Sequence, residues 1–146
     1  MTEHDETRIR KLLAVRTDAM TSRDAETLAS QYTPDVIAFT LAPPLAHRGA
    51  DVIDVDARKA WFDGFEGPIE YEVRDLEITV GGAIAYCHSL TCLSTTPKGA
   101  PASFELWFRS TICFREDIGE WRITHVHDST PFYMDATMSA ALDLKP

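Results

Sequence analysis

Phe104-Glu-Leu-Trp-Phe-Arg-Ser-Thr-Ile-Cys-Phe114, a short charged turn, and Trp121-Arg-Ile-Thr-His-Val-His-Asp-Ser-Thr-Pro-Phe132 decide how this chain reads. Both runs are rich in β-branched and aromatic residues, and Glu116 to Glu120 closes them into one antiparallel hairpin. Two arginines, two tryptophans, two histidines and an aspartate ride on those two runs. A plain structural ribbon carries less polar and aromatic equipment, so the hairpin reads as the wall of a cavity.

Alternation splits the first strand into Phe104, Leu106, Phe108, Ser110, Ile112 and Phe114 on one face, with Trp107 and Arg109 on the other. The second strand splits into Trp121, Ile123, His125 and His127 against Arg122, Thr124, Val126 and Asp128. Register decides which sets meet, because a slip of one residue exchanges every face. Pairing Phe114 with Trp121 sets Ile123 opposite Ile112 and gathers Arg109, Trp107, Val126 and Asp128 on the polar side. The other register drives Asp128 into the phenylalanine face, where an unpaired carboxylate costs several kcal/mol or neutralises itself. The first register is therefore expected, with Arg109 paired to Asp128 beside Trp107. The phenylalanine face is then either core or dimer surface.

Outward from the hairpin, the pattern predicts strands over 69–80 and 83–95, joined at Gly81-Gly82. Strands over 103–115 and 121–129 follow. Upstream, residues 5–21 form an amphipathic helix with Ile9, Leu12, Leu13 and Met20 on one stripe. A second helix, capped by Ser22, runs to about Tyr32 and stops before Pro34. Val36 to Leu41 is a short strand ended by Pro43-Pro44, and a third helix spans 50–63 up to Gly64. A helical turn is expected over 135–142. Helices followed by a run of antiparallel strands indicate an α+β fold, a curved sheet with three helices over one face.

The 146 residues suffice for a single domain with its own core. A net charge of −9 argues against nucleic-acid binding, which needs a basic footprint, and against an anionic membrane surface. Cys87, Cys92 and Cys113 lie in strand patterns without CxxC spacing and read as buried reduced thiols. The polar, acidic start is unlike a secretory leader, and a cytoplasmic location is expected. No nucleophile elbow or Gly-rich phosphate cradle is visible, so neither acyl-enzyme chemistry nor a cofactor is expected.

Arg16 breaks the apolar stripe of the first helix. It either snorkels to solvent or offers a planar donor fork to a ligand at the mouth of a cavity. Arg109, Trp107 and Asp128 make a second ligand-facing cluster, the alternative being a cross-strand ion pair with an aromatic neighbour. His125 and His127 aim two imidazoles to one side of a strand, a spacing that can begin a metal site, but two ligands do not complete one. His88 is a half-buried strand histidine, either a hydrogen-bonded core residue or a general base.

The order of elements resembles the nuclear transport factor 2-like (NTF2-like) superfamily, whose cone-shaped α+β fold encloses a pocket between helices and sheet. The closer resemblance is to its SnoaL-like, ketosteroid isomerase-related members. Trp61-Phe62, Gly67-Pro-Ile-Glu-Tyr-Glu-Val-Arg-Asp-Leu76, Ala85-Tyr-Cys-His-Ser-Leu90, Leu106-Trp-Phe-Arg109 and Trp121 to Phe132 carry the likeness. The last segment also resembles the association domain of the calmodulin-dependent kinases. The three isomerase positions, an oxyanion-donor tyrosine, a general-base aspartate and a second acid, fall on Arg16, near Thr40 and near Ser110. None carries the isomerase residue type.

The resemblance implies a small-molecule-binding domain, and a homodimer through the sheet. The expected activity is isomerase, cyclase or dehydratase chemistry by proton transfer on an apolar carbonyl compound. His88 or Asp128 would serve as base and Arg16 or Arg109 would steady charge on oxygen. Trp61 and Trp107 would hold the substrate, with His127 a further ligand contact. The alternative is a non-catalytic ligand-sensing or oligomerisation module.

Overall fold

The computed structural model describes residues 2–146. Its elements are α1 (Thr2–Ser22), α2 (Ala25–Ser30), β1 (Tyr32–Phe39), β2 (His47–Arg48), α3 (Ala50–Ile53), α4 (Val55–Asp63), β3 (Phe65–Gly81), β4 (Ile84–Pro97), β5 (Phe104–Asp117) and β6 (Glu120–Ser129). The strands form one sheet in the order β2-β1-β6-β5-β4-β3, and only β1 and β6 run parallel. The α+β class and the cone with helices over one concave face stand as expected.

Local chemistry moves several boundaries. Arg23 turns the chain at positive φ, and the Asp24 carboxylate accepts from Thr27 N and Thr27 Oγ1, so Asp24 rather than Ser22 caps α2. Arg23 then donates to Phe62 O (2.6 Å) and Gly67 O (2.6 Å), fastening the end of α4 to the start of β3. The helix expected over 50–63 is two pieces, because Asp54 leaves helical geometry and caps α4 through Ala57 N. Residues expected to form a helical turn near the C-terminus make turns and an isolated bridge between Phe132 and Ala140 instead.

α1 packs against β3, and Arg8 and Trp121 pin its first turns to the β5–β6 hairpin. Its apolar stripe feeds two separate core clusters. Ile9, Leu12 and Leu13 join Tyr32, Val36, Phe114 and Ile123, while Ala19 and Met20 join Leu28, Phe62, Leu93 and Phe108. Arg16 falls between them. No helix among the described residues is long and apolar enough to cross a membrane. The three cysteines form no disulfide.

The register of the last hairpin differs from the expected one. Phe114 pairs with Ile123, but Cys113 pairs with His125, leaving Thr124 as an extra residue. This bulge turns the strand by one residue, so the alternation expected for β6 breaks at Thr124. Trp121, Ile123 and Val126 are all buried on the concave side, and Asp128 comes to lie opposite Ser110, within the phenylalanine face. Phe108 and Phe114 are core residues, 5% and 0% exposed.

Candidate functional site

Two cavities of about 340 Å³ each open beside Arg16, and Arg16 and Tyr71 line both. The first, the aromatic cavity, lies between α1, the α3–α4 segment, the end of β1 and the sheet. Tyr32, Trp61, Phe108 and Val126 form much of its wall, and Asp128 and Arg58 bring charge to it. The second, the hydroxyl cavity, lies under the middle of α1 against β3, β4 and β5, with Ser89, Thr91 and Ser110 in its wall.

Arg16 reaches this place because the helical period carries it inward with Leu13 and Met20, to where neither core cluster fills the space. Its Nη2 donates to Tyr32 Oη at 3.0 Å, and its guanidinium carbon stands 5.3 Å from the Tyr32 ring centroid. Nη1 is closed from solvent and has no hydrogen-bond partner among the described residues. Burial works to lower the Arg16 pKa, but Tyr32, Tyr71 and Asp128 outweigh it and hold the guanidinium charged. Burial likewise acts to raise the Tyr32 phenol, but Arg16 leaves it below its usual range. Tyr71 lacks that direct contact, and burial pushes its phenol up to about 12.

Asp128 sits directly across from Ser110, whose Oγ donates to Oδ1 at 2.7 Å. Burial raises the carboxyl above its usual range, against the pull of the Ser110 hydrogen bond and the charges of Arg16, His127 and Arg58. Its cost of burial is therefore offset by a hydroxyl and a nearby guanidinium rather than by Arg109.

Of the residues singled out in the sequence, Arg16, Trp61 and Asp128 meet at the aromatic cavity. The other four lie away from it on the opposite face of the sheet. Arg109 is exposed, with Ser129 and Leu90 as its strand partners, so the expected Arg109–Asp128 pair does not form. Trp107 is half-buried, donates Nε1–H to Glu105 and is covered by Arg74, 4.8 Å from its ring centroid. His88 is exposed between Glu77 and Thr111. His127 is exposed and stands edge-on to Phe39, and His125 Nδ1 meets Ile37 O at 2.7 Å. The described residues contain no group of three side chains suited to a metal ion.

Tyr32 and Tyr71 are among the polar lining residues that pattern reading passed over. Tyr71 had a signal, since it alternates with buried Ile69 on the inner face of β3. Tyr32 had none, because it reads as the end of α2.

No curated protein matches the sequence. Among solved structures, the chain is similar to an NTF2-like protein of unknown function from Pseudomonas putida KT2440, with 27% identity, coverage of 100% and 99% of the two chains and a TM-score of 0.87. A proposed dehydratase of the NTF2-like family from Streptomyces avermitilis is 18% identical over 90% of this chain and 99% of its own, with a TM-score of 0.76. A proposed scytalone dehydratase from Novosphingobium aromaticivorans is 14% identical, with 97% and 95% coverage and a TM-score of 0.76. The cone, the cavity beneath α1 and a match over residues 9–133 agree: the chain belongs to the SnoaL-like domain family, on an NTF2-like fold.

Proposed function

We propose that this protein is a proton-transfer enzyme for a small, largely apolar carbonyl compound, an isomerase or dehydratase, with Asp128 as its base. The observation that carries this reading is a half-buried carboxyl of raised pKa sharing one cavity with a charged guanidinium and two phenols. The isomerase positions near Thr40 and Ser110 carry no acid, but Ser110 hands its hydroxyl to an acid one strand away. The acid has in effect moved from β5 to β6.

In the step envisaged, an Asp128 oxygen takes the proton from the carbon beside the carbonyl. The C–H electron pair becomes the new C=C bond, and the carbonyl π pair moves onto oxygen. Arg16 and the Tyr71 hydroxyl donate to that oxygen as its charge grows. Tyr71 suits this role because its raised pKa keeps the phenol protonated. The proton then returns at another carbon, giving an isomer. Alternatively, it leaves with a β-hydroxyl as water, giving an unsaturated ketone and the regenerated carboxylate. Trp61, with Arg58 5.6 Å from its ring centroid, supplies a flat wall for the apolar body of the substrate.

The test is deuterium uptake from D₂O at the α-carbon of a panel of cyclic enones and β-hydroxyketones, followed by proton NMR. Wild type should accelerate uptake on some members, and Asp128→Asn should slow it on the order of 10²–10⁴-fold while binding persists. Uptake unchanged by Asp128→Asn would remove Asp128 as the base. Binding without uptake on any compound would point instead to a ligand-carrying module.

A further inference from the structure

The hydroxyl cavity has a charge character opposite to that of the chain around it. The protein carries a net charge of −9, yet no carboxylate lines this cavity among the described residues. Its polar lining is Arg10, Arg16, Thr17, Tyr71, Ser89, Thr91 and Ser110, each able to donate, although the Ser110 hydroxyl is given to Asp128 and the Ser89 and Thr91 hydroxyls stand 3.4 Å apart. Cys87, also in the wall, is pushed up to about 11 by burial and so stays a neutral thiol. Arg10 stands exposed at the rim and is already paired with Glu6 at 3.1 Å. Arg16 is different: Nη2 is committed to Tyr32 on the aromatic side, and buried Nη1 has no acceptor. A buried charged donor without a partner is costly, and a site that leaves one open favours a ligand that supplies the acceptor.

We propose that the hydroxyl cavity is a carboxylate subsite, and that the natural ligand is a small organic acid whose anionic end lies against the Arg16 guanidinium and accepts from the Ser89 and Thr91 hydroxyls. The cavity's own lining brings no carboxylate to Arg16, so its guanidinium, which Asp128 faces from the aromatic side, is matched here to a single negative charge. Leu13, Val73, Leu76 and Ile112 line the rest of the cavity and would leave the second charge of a phosphate dianion unsolvated. Because Arg16 and Tyr71 stand in both cavities, an acid anchored here projects its other end past them toward Asp128. The substrate class becomes an oxo acid, with carboxylate and reacting carbonyl on the two sides of Arg16. The placement of the reacting carbonyl rests on the proton-transfer reading above; the subsite itself does not.

The experiment compares matched acids and amides: benzoate against benzamide, and 4-oxopentanoate against its amide, with inorganic phosphate as a third probe. Calorimetric titration of wild type should favour at least one acid over its amide by about tenfold or more, the worth of a charge-assisted hydrogen bond. Arg16→Met should cut that preference to less than about twofold, whereas Arg10→Gln at the rim should leave most of it. Should Arg16→Met fail to fold, amide NMR of wild type decides instead. Benzoate should shift Ser89 and Thr91, and shifts confined to the outer surface would overturn the subsite. So would equal affinity for acid and amide in both pairs, a preference that survives Arg16→Met, or a response to phosphate alone. Asp128-dependent deuterium uptake on uncharged ketones, without acid preference, would overturn the subsite and leave the proton-transfer reading standing. Acid preference without uptake would do the reverse.

Discussion

Ser110→Ala probes the site through one atom. It removes the hydroxyl that donates to Asp128 Oδ1 at 2.7 Å and leaves the backbone pairing of β5 with β6 in place. A hydrogen bond to an ionised group contributes about 1.5–3 kcal/mol, and one between neutral partners about 0.5–1.5. The loss should therefore be near 2 kcal/mol where Asp128 is ionised and about half that where it is protonated. The sign of the pH effect follows from the direction of the shift. Asp128 has a raised folded-state pKa, so it holds its proton to higher pH than in the unfolded chain, and its burial favours folding only in acid. That contribution is complete below the unfolded-state pKa and is lost as pH rises through the folded-state pKa. The Ser110 hydrogen bond limits the loss, so removing it raises the folded-state pKa further. Urea unfolding at pH 4 and pH 8 should show the larger penalty at pH 8, where a melting-point drop of roughly 4–8 °C corresponds to 2 kcal/mol. If Asp128 is the base, the acid limb of the deuterium-uptake profile should also move to higher pH. An equal penalty at both pH values, or a limb moving the other way, would refute the claim that Ser110 stabilises the ionised carboxyl.

Arg23→Ala should destabilise by about 2–4 kcal/mol in urea titration, because the carbonyls of Phe62 and Gly67 lose a charged donor together. Ile118→Gly should raise the melting point by about 2–4 °C, since Ile118 is a β-branched residue at φ 51 and 95% exposed, where its side chain packs on nothing. A homodimer through the convex face, proposed from the family likeness, predicts that Tyr86→Glu sediments as a monomer. Tyr86 is 46% exposed beside Ile84 at 55%, and an unchanged sedimentation coefficient would count against that face.

The sequence displayed the frame of the fold through periodicity and left the last hairpin ambiguous. The inner row of β5 follows strict alternation from Phe104 to Phe114, and the buried members match it. Arg16 stood out because a 3.6-residue stripe has a definite apolar phase, and a charge in phase is visible without coordinates. The β6 faces could not be read in this way. A bulge adds one residue without changing composition, so the pattern on either side of Thr124 looks continuous while its phase shifts. The split of the third helix was similarly hidden, because Asp54 caps α4 from within a run that reads as helical throughout.

The observed register of the last hairpin also bears on function. The expected register keeps Asp128 out of the phenylalanine face, because a buried carboxylate is expensive. The protein accepts that cost and offsets it in part with Ser110 and Arg16. Folding alone gives little reason to do so: Arg109 and Arg74 wait on the convex side, and without the bulge Asp128 would face them there in solvent. A residue inserted at Thr124 thus exchanges an inexpensive surface ion pair for a half-buried acid beside a cavity. Stability-driven reasoning selects the wrong register at such a position, and a carboxyl whose pKa burial raises beside a guanidinium suits the proton-transfer role proposed for Asp128.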